Sequence, residues 1–189
     1  MINRDFDKDG FIDWLCDETD FFTAPASTKY HSNYSGGLCQ HSLNVWRTLI
    51  DLNNIMNTNL DVNSIAIVAL CHDLAKVNYY VKGFKNVKEY SENGSKSDSL
   101  GKFDWISVSC FEKRKDKLIY GSHEVNSEML AHNFIPLTID ESIAILHHHG
   151  GRGYDSAQDD IGEIFGYSTL SCLLHLADML CAYVVEKSE

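Results

Sequence analysis

An all-α, mainly helical fold with one small β-hairpin or flap inserted around residues 79–118 is what this sequence predicts. Three observations carry that expectation. Apolar residues recur at helical spacing through most of the chain. Only two prolines interrupt it. Hydrophobic residues make up 44% of the 189 residues, enough for one core without staples. One domain is expected over 1–189, with an N-terminal helix and loop in 1–29 and the main body in 30–186.

Taken in order, residues 10–22 carry Phe11, Ile12, Trp14, Leu15, Phe21 and Phe22, the makings of a short amphipathic helix. Residues 23–37 are rich in Ser, Thr, Tyr and Gly and read as a loop, with Lys29, Tyr30, His31 and Tyr34 just before the next helix. Leu38, Val45, Leu49, Leu52, Ile55 and Met56 define a helix over 38–57, with His41 one turn before Val45 and beside the buried stripe. Asp61 or Asn63 caps the next helix, expected over 62–77. His72 and Asp73 stand in its apolar run, and Lys76 shares a face with His72.

From Asn78 the pattern changes. Tyr79, Tyr80 and Val81, then 87–90, then 105–109 are β-prone, and the turn-rich 93–98 lies between them. The basic run 113–117 reads as a solvated turn. Gly121 and Ser122 precede a helix to His132, with His123 at its start. Thr138, Ile139, Asp140 and Glu141 form a capping-box pattern opening another helix. That helix ends in His147, His148 and His149 before Gly150 and Gly151, and 151–160 reads as a polar loop. The last helix covers 169–186, with Asp178 inside its apolar stripe and His175 three residues earlier. Trp14, Trp46 and Trp105 read as core or flap packing, not as platforms for stacked bases.

The formal net charge of −11 disfavours a long phosphate backbone as ligand, although a local cation-centred site still suits a small phosphate. None of the six cysteines forms a C-x-x-C pair, so neither a disulfide framework nor a zinc finger is indicated. The polar start lacks the hydrophobic core of a signal peptide, and no apolar run approaches the ~20 residues that span a bilayer. A reducing cytoplasm and no membrane partner are expected.

A buried charge is costly unless it is paired or bound to a metal. His41, His72, Asp73 and Asp178 come from three helices, and two imidazoles with two carboxylates suit a borderline divalent ion. Such an ion acidifies water and polarises a phosphoryl oxygen. His123 and one of His147, His148 and His149 form a second position, with Asp73 bridging two ions about 3.5–4 Å apart.

The order of these residues resembles the H…HD…D signature of the HD-domain metal-dependent phosphohydrolase superfamily, and is similar to HD proteins of firmicute bacteria and their phages. Five blocks carry the likeness over about residues 30–186: YHSNYSGGLCQHSLNVW, ALCHDLAKVNYY, GSHEVNSEML, AILHHHGG and LLHLADMLCAYVVE. The resemblance implies an HD helical bundle holding one or two divalent ions (Mn, Fe, Co, Ni, Zn or Mg). It places His41, His72, Asp73 and Asp178 at the first metal site and His123 and His148 at the second. His147 and His149 depart from the family's pattern of a single His there. Lys76 matches a lysine that binds a phosphate oxygen, and Ala75 stands where related chains often have Cys. The glycine-tyrosine-proline extension of the cyclic-dinucleotide enzymes is missing, as is the Glu that follows the HD pair in the 5′-nucleotidase group.

The implied activity is hydrolysis of a small phosphate ester, a nucleotide, by metal-activated water. Asp73, Lys76 and His149 are the catalytic candidates, and His31, Lys76, Arg152 and Tyr154 the substrate-binding ones. Two alternatives stand beside it: a phosphodiesterase for cyclic nucleotides or short RNA 3′ ends, and a non-catalytic metal- or nucleotide-binding regulatory module.

Overall fold

The structure, a computed structural model, describes residues 2–116, 121–150 and 161–187. Helix α1 (Lys8–Asp13) starts at Asp7, whose carboxylate accepts from the Gly10 N–H, and runs on as a wide turn over Trp14–Glu18. It ends short of the expected 22 because the Thr19 hydroxyl donates to the Leu15 carbonyl at 2.7 Å and the backbone becomes extended. Phe11 and Trp14 pack on Phe134.

Helix α2 (Gly37–Met56) is the central rod and buries Leu38, His41, Val45 and Leu49. Its first residue must be small. A Cβ at Gly37 would come 1.9 Å from the Ser32 carbonyl oxygen, because the loop before α2 folds tightly over the helix start. Helix α3 (Val62–Cys71), capped by Asp61, packs along α2. It stops six residues before the expected end at 77. The His72 ring bonds the Ala69 carbonyl, Asp73 leaves helical geometry at φ −108°, and Leu74–Lys76 forms a single 3₁₀ turn.

Three strands follow: β1 (Tyr80–Tyr90), β2 (Lys96–Asp98) and β3 (Gly101–Lys113). They form an antiparallel sheet in the order β1-β3-β2. The pairing of β1 with β3 is unbroken from Tyr80 opposite Lys113 to Tyr90 opposite Phe103. The all-α expectation is therefore corrected: the fold is mixed α/β and rich in helix. The physical reason is the sustained alternation of aromatic and β-branched residues, which satisfies a full backbone ladder.

For most of its length this sheet is a ribbon packed on itself, touching the helices at its base. Asn78, at φ +54°, anchors that base by bonding Glu18 and Asp20.

Helix α4 (His123–His132) carries His123 at its first position. Helix α5 (Ile139–Leu146) opens on the capping box of Thr138 and Glu141. Helix α6 (Ile161–Tyr167) has no counterpart among the expected elements. Helix α7 (Thr169–Leu180) is capped by Ser168 and continues as a wide turn, Cys181–Val185.

Leu38, Leu49, Ile65, Ile67, Ile145, Leu170 and Leu174 are fully buried where α2, α3, α5 and α7 meet. Among the described residues no single helix is long and apolar enough to cross a membrane. The α6–α7 pair passes that test only jointly and is bent by 115°.

Candidate metal centre

Four buried side chains converge on one point. His41 comes from the second turn of α2, His72 and Asp73 from the break after α3, and Asp178 from the third turn of α7. The break matters because neighbours on a continuous helix point about 100° apart. Here His72 and Asp73 face the same spot.

The Nε2 of His41 lies 3.3 Å from Nε2 of His72, 3.0 Å from an Asp178 oxygen and 3.6 Å from Oδ2 of Asp73. Nε2 of His72 is 3.5 Å from that same Asp73 oxygen.

Both rings are fixed from behind. Nδ1 of His72 donates to the Ala69 carbonyl at 2.9 Å, and Nδ1 of His41 donates to Glu186 at 3.1 Å. In the neutral rings each Nε2 then presents a lone pair to the other. Two lone pairs held 3.3 Å apart between two carboxylates repel unless positive charge lies among them. Burial alone would lower the His41 pKa, but hydrogen bonds to Asp178 and Glu186 outweigh it and raise it to about 9, so without an ion a proton on Nε2, shared with Asp178, supplies that positive charge, and an ion would have to displace it. Burial likewise pushes the Asp73 carboxyl up, and the Lys76 ammonium beside it leads the effects that hold it well below the ordinary range.

The other oxygen of Asp73 faces a second nest. Oδ1 lies 3.7 Å from Nε2 of His123 and 3.8 Å from Nε2 of His148. The Nδ1 of His148 donates to the Ile145 carbonyl at 2.7 Å, so its Nε2 again offers a lone pair. Among the described residues, Asp73 Oδ1, His123 Nε2 and His148 Nε2 are buried without a hydrogen-bond partner. Leaving one such atom unpaired costs about 1–3 kcal/mol. Three at one point could be satisfied together by one cation. Burial lowers His123 to about 4 and sends His148 well below its ordinary value, keeping both rings neutral as ligands must be.

Buried His and Asp clusters here could hold a metal ion: His41 with His72 and Asp73, and His72 with His148 and Asp178, have ligand atoms within 4.8 Å of one another. Imidazole nitrogen with carboxylate oxygen is the donor set of borderline first-row divalent ions.

Two carboxylates behind the histidines escaped the sequence reading. Glu186 accepts from His41, Ser32 and Asn44. Burial raises its carboxyl, and His41, Ser32 and Asn44 bring it down to about 2. Glu124 takes Nδ1 of His149 at 2.8 Å and lies 3.3 Å from Nδ1 of His123, which brings it to about 2 against the effect of burial. The only sequence signals were a Glu directly after His123 and a second acid on the last helix.

The remaining candidates fall around this centre. Lys76 is 12% exposed and donates to Asp73 Oδ2 at 2.6 Å. His149 is half-buried, its Nε2 3.5 Å from Asp178. A cavity of about 600 Å³ opens beside His31, Glu124, His149 and Asp178. A smaller one, about 360 Å³, is lined by Lys76, Tyr79, Tyr80, Lys113 and His123. Arg152 and Tyr154, and the loop expected over 151–160, lie outside the described residues. The His175 Nδ1 donates to the His148 carbonyl and steadies the turn. His132 is exposed beside Glu128. Trp105 is 50% exposed on β3 and packs edge-on against Phe103, a flap contact rather than a core one.

No family model, no curated protein and no solved structure matches the chain.

Proposed function

We propose that the chain is a metal-dependent phosphohydrolase of the HD kind acting on a phosphate ester of the nucleotide class. The observation that carries this reading is Asp73, whose two oxygens face two separate histidine nests with lone pairs turned inward. A purely structural network would give Oδ1 and the facing nitrogens of His123 and His148 a donor, as Lys76 gives one to Oδ2. A divalent ion, when bound, would acidify a water and polarise the phosphoryl oxygen.

The chain's own groups supply the rest. Lys76 and Lys113 both reach the smaller cavity, so a phosphoryl group entering there meets two ammonium groups that stabilise growing negative charge. Tyr80 walls the same cavity. On the other side His149, held through Nδ1 by Glu124, presents Nε2 toward Asp178 and the larger cavity, the position from which a leaving oxygen would be protonated. His31 lines that cavity and takes the far end of the substrate.

The six cysteines, all free thiols, fit a reducing cytoplasmic setting.

The test is metal content of the purified chain, followed by turnover of bis(p-nitrophenyl) phosphate and a nucleotide panel with Mn, Co, Ni and Mg. Bound metal and turnover are expected, with Asp73→Ala losing both. A chain that binds nucleotide with metal yet turns nothing over under any ion is instead a regulatory module.

A further inference from the structure

The ribbon sorts its side chains by chemistry. Because β1 and β3 pair without a bulge, residues of alternate positions share a face. One face receives every aromatic residue of the two strands: Tyr80, Phe84, Tyr90, Phe103, Trp105 and Phe111. The same face takes Lys82, Lys88 and Lys113. The opposite face takes the strands' acids, Glu89, Asp104 and Glu112, together with Lys85 and Lys102, so it is the rings rather than the lysines that are confined to one face.

Part of the aromatic face covers itself. Phe103 is buried under Tyr90, Trp105 and the Lys88 ammonium, and Lys88 also pairs with Asp98. Much of the rest faces solvent: Phe84 is 75% exposed and Trp105 50%. The face also leads somewhere. Tyr80 and Lys113 at its base line the cavity that contains Lys76 and His123.

Exposed rings interleaved with lysines match a flexible polyphosphate chain whose bases stack on aromatic surfaces. The net charge of −11 weighs against a long phosphate backbone, but the ribbon's eleven-residue register spans only roughly 35 Å at the usual rise. Charges are screened beyond about 8–10 Å in physiological salt, so a short strand on this face meets chiefly the ribbon's own lysines and acids rather than the charge of the whole chain.

We propose that this face is a track for a single-stranded oligonucleotide, delivering its terminal phosphate to the His–Asp centre. The delivery rests on the phosphohydrolase reading, whereas the binding does not.

The experiment titrates the full chain, in EDTA to prevent turnover, into short fluorescein-labelled oligouridylate and oligothymidylate and follows anisotropy. Saturable binding is expected, weakened about tenfold by Phe84→Ala or Trp105→Ala and severalfold by Lys82→Ala. A log–log salt slope near −2 is expected if about three phosphates are neutralised. Phe84→Ala should keep its metal and its turnover of bis(p-nitrophenyl) phosphate, which also shows that it is folded.

Absence of saturable binding overturns the track, as does binding that these variants leave unchanged. So does a dimer, seen by sedimentation and reversed by Phe84→Ala, in a chain that ignores oligonucleotides. Binding as expected in a chain without metal or turnover removes the delivery and the phosphohydrolase reading, and leaves the strand-binding face standing.

Discussion

Glu186 decides which nitrogen of His41 is offered to the centre. Its carboxylate accepts a hydrogen bond from Nδ1 and leaves Nε2 facing the other ring and the carboxylates, where an ion would bind. A carboxylate behind a ligating histidine also raises the ring's basicity, and losing one typically costs 10–100-fold in metal affinity. Glu186→Gln is therefore expected to weaken metal binding by about 10–100-fold in a competition titration against a chelating dye. Its unfolding free energy should fall by about 1–3 kcal/mol as well, because Ser32 and Asn44 bind different carboxylate oxygens and the amide keeps only one acceptor. A merely structural role would show lost stability with metal affinity intact. Asp73 admits no such partial change, since both of its oxygens face histidine nitrogens.

Among the elements, α5 shows how one residue serves two ends. Glu141 closes the capping box with Thr138 and also takes both guanidinium nitrogens of Arg4, at 2.6 and 2.7 Å. Burial pushes its carboxyl up, and the bonds from Arg4 and the Thr138 N–H outweigh that and hold it below 4.5. A carboxyl lowered in the folded state contributes stability above its unfolded pKa and loses it as pH falls through the folded value. Glu141→Gln should therefore cost about 2–3 kcal/mol in urea unfolding at pH 7, a buried-pair cost discounted for the partly exposed Arg4. The gap between variant and parent should narrow as pH drops below about 4.5. This capping box was legible in the sequence because it is local chemistry, and so were most of the helices, whose apolar stripes report which side is buried. The break after Cys71 was not legible. Residues 62–77 are apolar enough to continue, and it is the His72 bond to Ala69 that turns the chain. Glu186 was hidden for a related reason. On an uninterrupted α-helix it would lie about 80° away from Asp178. The wide turn over Cys181–Val185, closed by the Glu186 N–H to the Cys181 carbonyl, brings it round to His41. The all-α expectation failed because helix-rich ends outweighed a strand alternation that runs the full length of β1 and β3. For the site, the order of His41, His72, Asp73 and Asp178 was enough to nominate the centre, whereas the roles of His148 and His149 needed the turn that sends one ring inward and the other toward Glu124.

At the scale of the whole molecule, the centre ties together α2, α3, α4 and α7 with the turn after α5. Any ion that binds the folded state alone stabilises all of them, by about 2.7 kcal/mol at a hundredfold excess over Kd. For a chain of this size that is a rise of roughly 5–10 °C in Tm. Thermal scans with Mn or Co should show this rise, EDTA should reverse it, and Asp73→Ala should not respond. The ribbon lies outside that cooperative body, and its own form has a further outcome. In the order β1-β3-β2, the outer side of β1 has no neighbouring strand in the sheet, an open ladder onto which another extended segment could zip. Lys82, Lys85 and Lys88 recur along it at every third position. Two such edges meeting antiparallel about Lys85 would set Lys82 against Lys88 and Lys85 against its own copy, and a parallel in-register meeting would set each lysine against itself. Like charges directly opposite are repulsive in either arrangement, so the lysine spacing works against both of these registers between neighbouring copies.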